Sequence, residues 1–258
     1  METASSTPLV DSLSSPLQPL EDADLHASSD EYAHRFHGAV GEWLLEVQEE
    51  ALAALVDPSL TSVLDIGGGH GQIAIPLMQR QHAVTILGSS PACAQRVQHL
   101  VDAGAISFKS GNLVDVPFHD RSFDAVVSFR LMSHCTAWRS LIAEMCRVAD
   151  RAVVFDYPVW CSANFLTPLL FALKRRIEGN TRAYRIFSTH ELTREFGKHG
   201  FRRRAVRKQF FFPMGLHRAL KNRRMSRLLE AIPRVLLLTR IFGSPVIVKF
   251  ERLAGDDR

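Results

Sequence analysis

Cysteine is sparse. The four residues, Cys93, Cys135, Cys146 and Cys161, form no C-x-x-C pair and sit at no zinc-binding spacing from a histidine. Disulfides and a structural metal are therefore not expected, and the thiols point to a reducing, cytoplasmic setting. The chain has no basic stretch leading into an apolar one at its start, and nowhere does it reach 18 consecutive apolar residues. That pattern disfavours secretion and membrane spanning. No Gly-Lys-Ser or Gly-Lys-Thr follows a glycine turn, which removes a triphosphate loop. What is present suffices for one sizeable core: 258 residues, 46% of them hydrophobic.

Charge is segregated. Residues 1–170 hold 9 Lys/Arg against 20 Asp/Glu, a net of −11, whereas residues 171–252 hold 21 against 5, a net of +16. A basic third of this kind attracts an anionic substrate, a membrane face or nucleic acid, or keeps a surface solvated. Residues 1–29, rich in Ser, Pro and acids, read as a disordered tail. From Asp30 onward Tyr32, Phe36, Val40, Trp43, Leu44, Val47 and Leu52 recur at helical spacing, with Gly38 and Gly41 as a point of division.

The stretch from Ser62 to Gly71, SVLDIGGGHG, organises the rest. Val63, Leu64 and Ile66 suit a strand buried on both faces, and the glycines permit a tight turn with close backbone approach to a ligand. Asp65-x-Gly67-x-Gly69-x-Gly71 after a strand resembles the first motif of the class I S-adenosylmethionine-dependent methyltransferases, of the small-molecule, ubiquinone/menaquinone-methyltransferase-like type. Residues 111–129, GNLVDVPFHDRSFDAVVSF, resemble a second stretch of that family, and Glu144 to Val148 and Gly200-Phe201 resemble two more.

The resemblance implies an α/β fold: a Rossmann-like, seven-stranded, mostly parallel sheet with helices on both faces and a helical cap. One domain over residues 30–258 would include a helical insertion at about 159–185 and the basic C-terminal region. Asp65, Gly67, Gly69 and Gly71 would cradle S-adenosylmethionine. The acid that binds both ribose hydroxyls in the family falls at Gly88, so Ser89 or a water would substitute. Asn112 stands where an acid meets the adenine amino group, Leu113 would touch the ring, and Ser128 to His134 would line the pocket. His134 is the first candidate to move a proton. Asp156 and Tyr157, ending the fifth strand, are further catalytic candidates, and Tyr32, Arg182 and Tyr184 are candidates for holding substrate.

The implied reaction is in-line methyl transfer to a small, aromatic or lipid-like molecule, without a metal. The basic segment at 217–238 is expected to be helical and able to rest on an anionic membrane surface. Two rivals remain: an RNA methyltransferase using the basic C-terminal surface, disfavoured because aromatic and basic residues are not interleaved, and a non-catalytic cofactor-binding or regulatory protein.

Overall fold

Seven strands join into one sheet in the computed structural model, which describes residues 21–159 and 184–254. They are β1 (Ser62–Ile66), β2 (Ala83–Gly88), β3 (Ser107–Ser110), β4 (Phe123–Ser128), β5 (Ala149–Tyr157), β6 (Phe201–Phe210) and β7 (Ser244–Arg252), in the order β3-β2-β1-β4-β5-β7-β6. The first five run parallel, and β7 enters antiparallel between β5 and β6. This is the expected mostly parallel, Rossmann-like sheet. The strand order reverses at β1, between β2 and β4, so the crevice for a ligand opens beyond the carboxyl end of β1.

Alternation along the strands builds two apolar layers. Val63, Val84, Ile86, Val127 and Val154 pack on one face with Leu52 of α3 (Gly38–Ala53) and Leu77 of α4 (Ala74–Gln79). Leu64, Ile66, Val126, Val153 and Phe155 pack on the other with α6 (Trp138–Val148) and α7 (Thr189–Gly197). In the second layer Phe196 stacks on Phe250 at 4.0 Å and on Phe155 at 5.2 Å, both at 12°. Aromatic pairs add about 0.5–1.5 kcal/mol beyond their burial, which helps fix α7 on the antiparallel end of the sheet.

Two carboxylates set registers that the site depends on. Asp124 Oδ2 accepts from Thr61 N (2.8 Å), Thr61 Oγ1 (2.6 Å) and Ser62 N (2.9 Å), tying the start of β1 to β4. Those bonds, the Thr61 hydroxyl first, hold its carboxyl down at about 2. Glu144 pairs with Arg147, and Arg147 donates to the carbonyls of Val116 and Phe118 (both 2.8 Å) while Glu144 Oε2 accepts from Val116 N (2.7 Å). The Glu-x-x-Arg element thus clamps the loop that carries Asn112.

Two expectations need correction. The tail predicted over residues 1–29 gives way at Glu21: α1 (Ala23–Ala27) and α2 (Asp30–His34) lie within the fold, with Ala23, Asp24 and Ala27 buried. After β2 the chain makes a 3-10 turn (Pro91–Ala94) followed by α5 (Gln98–Asp102). The basic helix over 217–238 is broken into α8 (Met214–Leu220), α9 (Arg223–Val235) and α10 (Leu238–Phe242), because Lys221 and Leu237 take left-handed backbone angles of 50° and 58°. The expected insertion falls largely outside the described residues.

Candidate active site

The glycine loop follows from steric needs at each step. Gly67 turns out of β1 at φ +78° and its N–H donates to Leu87 O (2.8 Å), closing the turn against β2. A β-carbon on Gly69 would lie 2.2 Å from the Cys93 carbonyl oxygen and 2.6 Å from Ser28 Oγ, closer than any side chain tolerates. Beneath the loop Asp65 is wholly buried, and neither carboxylate oxygen has a hydrogen-bond partner among the described residues. Burial pushes its carboxyl up to about 8, so it is largely protonated at neutral pH.

Above the loop runs the segment that sequence reading assigned to the tail. Glu21 Oε2 accepts from Thr136 N (2.9 Å), beyond β4; Asp24 Oδ2 accepts from Ser89 N (2.8 Å), beyond β2; Asp30 pairs with Arg96. This strap crosses the carboxyl ends of β4, β1 and β2 and buries Gly67 to Gly71 beneath it. Cys93 lies under it, its thiol pushed up by burial and then by the Asp24 charge. Asp24 Oδ1 and Ser28 Oγ are buried without a hydrogen-bond partner among the described residues. Including the Asp65 pair, four unpartnered buried oxygens therefore surround one glycine turn. Unsatisfied buried polar atoms are costly, and their concentration here marks a polar ligand site.

The remaining expected cofactor contacts fare unequally. Gly88 has no room for an acid, because a β-carbon there would meet Cys93 Cβ at 2.8 Å and Phe108 Cζ at 2.9 Å. Asn112 Oδ1 accepts from Val114 N (3.1 Å), shaping its own loop, and Leu113 is fully buried with Leu87 and Ile66. Ser128 gives its hydroxyl proton to Ile66 O (3.0 Å), a tie between β4 and β1. Among the described residues no group of three His, Cys, Asp or Glu could hold a metal ion.

A second cluster gathers on Arg130, which lies within the expected pocket-lining segment 128–134 but was given no role there. Its backbone takes φ 61°, and its N–H donates to Asp156 Oδ1 (2.6 Å). Its guanidinium donates to Gln72 Oε1 (3.1 Å) and Gln48 Oε1 (2.6 Å) and lies 4.4 Å over the Phe36 ring. Backbone and side chain of this one residue so join the end of β4 to β5, the glycine loop and α3. The only sequence signal was a lone basic residue two positions past a strand.

Around it stand several predicted residues. Tyr32 packs on Phe36 (5.9 Å) beneath Arg35, and Tyr184 lies 5.6 Å from His134. Tyr184 is pushed up to about 12, by burial first and then by the charges of Asp156 and Tyr32. Burial raises Asp156, with Arg130 pulling it back. Arg218, half-buried on α8, is lowered by burial first and then by Arg35 and Arg130. Arg35, Arg130 and Arg218 therefore feel one another's charge near Tyr32, and Tyr184 feels Tyr32 and Asp156. Tyr157 does not join them: successive strand residues face opposite ways, and its hydroxyl bonds Thr189 (2.9 Å) within the α7 layer. Arg182 lies outside the described residues.

Residues 63–151, the span that builds the loop, the switch point and the Asn112 clamp, match the methyltransferase domain family. This span is a methyltransferase domain. The chain is 30% identical over 156 residues to the O-methyltransferase resE of Aspergillus sclerotiorum, covering 51% of this chain and 58% of that protein. It is 32% identical over 130 residues to demethylmenaquinone methyltransferase of Deinococcus radiodurans, covering 48% and 52%. The matches thus span little more than half the length of either relative. Among solved structures, magnesium protoporphyrin IX methyltransferase from Synechocystis PCC 6803, with bound SAH, superposes at a TM-score of 0.59, 16% identity, over 87% of this chain and 94% of its own. The 4+2 cyclase SpnF superposes at 0.55, 17% identity, over 83% and 82%. These likenesses extend the shared fold beyond the matched domain, to more than four-fifths of the chain.

Proposed function

We propose that the protein is an S-adenosylmethionine-dependent methyltransferase acting on a small aromatic or lipid-like molecule that presents an anionic or phenolic group. The observation that carries the first half is the set of four unpartnered buried oxygens around the glycine turn of a methyltransferase domain. The residues suit the cofactor: Gly67 and Gly69 leave room for close approach, and Asp65 and Asp24 offer acceptors. When bound, the cofactor supplies a sulfonium-activated methyl group.

The chain's own contribution is positioning, charge and exclusion of water. Arg130, Arg35 and Arg218 beside Tyr32 and Tyr184 support an acceptor that carries negative charge, because converging guanidiniums favour the ionised form of a phenol or acid. Such an acceptor reaches the methyl carbon already deprotonated, so holding it in line does most of the work. His134, beside Tyr184, remains the candidate to take a proton from a neutral acceptor. Calorimetry with S-adenosylmethionine, then mass spectrometry of reactions with demethylmenaquinol and simple phenols, tests the reading. No cofactor binding would sink it. Binding without turnover on any acceptor would favour the non-catalytic alternative.

The same proposal includes peripheral contact with an anionic membrane and a cytoplasmic setting. No helix among the described residues is long and apolar enough to cross a membrane. α9 and α10 nevertheless expose Leu228 (67%), Ile232 (64%) and Val235 (80%), followed by Leu236, Leu237 and Ile241. Arg224, Arg227, Arg234 and Arg240 flank this ridge, and the one acid of the two helices, Glu230, is buried. Apolar side chains edged by arginines match the interface of anionic lipid. Co-sedimentation with phosphatidylglycerol vesicles should exceed that with phosphatidylcholine and fall in the L228S/I232S variant. Tighter binding to structured RNA than to vesicles would favour the RNA enzyme.

A further inference from the structure

We propose that Asp24, carried on the N-terminal strap, supplies the carboxylate that grips the ribose of the adenosyl cofactor, in place of the acid missing at the end of β2. The inference rests on the cofactor reading above. Position 88 is closed to an acid by Phe108 and Cys93, which fill the space its β-carbon would need. One residue on, the Ser89 N–H points at Asp24 Oδ2 at 2.8 Å. The Asp24 β-carbon lies 3.4 Å from where a β-carbon on Gly67 would stand. Its carboxylate therefore bridges the glycine turn and the end of β2, the notch in which a β2 acid would have met the ribose.

The state of that carboxylate makes the case specific. Asp24 is 1% exposed, yet Oδ1 has no hydrogen-bond partner among the described residues, and against the carboxyl stand only the Ser89 N–H on Oδ2 and the weakly donating Cys93 thiol. Vicinal hydroxyls supply two donors at the spacing of one carboxylate, and charge-assisted bonds of that kind are the strong ones. The strap is held mainly through polar anchors at Glu21, Asp24 and Asp30, with only Ala23 and Ala27 as buried apolar side chains between them. Lifting it exposes little apolar surface. It opens to admit the nucleoside and closes with Asp24 on the sugar.

The test is titration calorimetry on the full chain with S-adenosylhomocysteine and its 2′,3′-dideoxy analogue, for wild type and Asp24→Asn. Wild type should prefer the hydroxylated ligand by about tenfold to hundredfold, the equivalent of one or two charge-assisted bonds. Asp24→Asn should lose most of that preference while binding the dideoxy ligand within about twofold of wild type. Equal or tighter binding of S-adenosylhomocysteine by the variant, or a preference that survives, overturns the assignment and makes the strap a plug. Hydrogen exchange on wild type covers the case of a variant that misfolds: the ligand should slow exchange over residues 21–29, and unchanged exchange counts against the inference. Wild type that binds neither ligand overturns the cofactor reading itself, a different outcome from a selective loss.

Discussion

Replacing Asp65 with Asn should flatten the dependence of stability on pH, and the structure sets the size of the effect. Asp65 is wholly buried and its carboxyl is raised from 3.8 to about 8 by burial alone. Below pH 3.8 the group is protonated in both folded and unfolded chains and contributes no slope. Between 3.8 and 8 the unfolded chain ionises and the folded one does not, so stability falls as pH rises, then levels off above 8. A gap of about 4 pH units at about 1.4 kcal/mol per unit gives an upper bound of about 6 kcal/mol. A domain of this kind is stable by about 5–15 kcal/mol, so even half that bound is measurable. Urea unfolding followed by tryptophan fluorescence, from pH 4.5 to 8.5, provides the test, since Trp43 and Trp138 are buried. Asp65→Asn should be within about 1–2 kcal/mol of wild type at pH 4.5 and increasingly the more stable protein toward pH 8. Asp156, also raised by burial, is common to both chains and cancels in the difference. Parallel curves across the range would refute the reasoning, because they would mean that Asp65 is ionised in the folded chain.

Gly69→Val places a branched side chain 2.2 Å from the Cys93 carbonyl oxygen; calorimetry should show S-adenosylhomocysteine affinity reduced at least about tenfold with far-UV dichroism retained. Arg218→Gln should raise KM for anionic acceptors about tenfold, one lost charge-assisted contact, with cofactor affinity unchanged; equal effects on neutral acceptors would place Arg218 outside the substrate site. Glu230 is buried and accepts from Phe211 N (2.9 Å), Phe212 N (2.9 Å) and His217 Nε2 (3.0 Å), so Glu230→Ala should cost about 3–5 kcal/mol in urea unfolding, and a loss below about 1 kcal/mol would show that α8 and α9 dock by other means.

The strands were legible because their signals are local. Val63-Leu64-Asp65-Ile66 running into glycines, and an apolar run after Phe123-Asp124, announce buried parallel strands from a few neighbours each, and β1 and β4 lie side by side. The strap was not legible, since an acidic, serine-rich stretch with two buried alanines carries no periodic signal. Its order comes from partners far along the chain: Asp24 meets a residue 65 positions away and Glu21 one 115 away. Arg130 was given no role of its own for the same reason, its three acceptors coming from α3, the glycine loop and β5. Asp156 and Tyr157 were read together, although strand geometry sends neighbours to opposite faces. Ser128 shows a different limit: its position at the strand end was right, but a hydroxyl spent on Ile66 O is visible only in three dimensions.

The sheet ends in two open borders, and the chain treats each as a place where another molecule's strand could add. β3 is only four residues long and includes Lys109. β6 is ten residues long and pairs on one side only, with β7, but it carries Arg202, Arg203, Arg204, Arg207 and Lys208. Repulsion between two such rows disfavours edge-to-edge stacking of copies, a hazard that long unpaired strands otherwise carry. Part of the basic charge in the last third of the chain therefore serves to keep the protein dispersed at high concentration. Neutralising those arginines in a search for ligand binding would also remove that safeguard, so a loss of function in such variants has to be separated from self-association by sedimentation before it is read as chemistry.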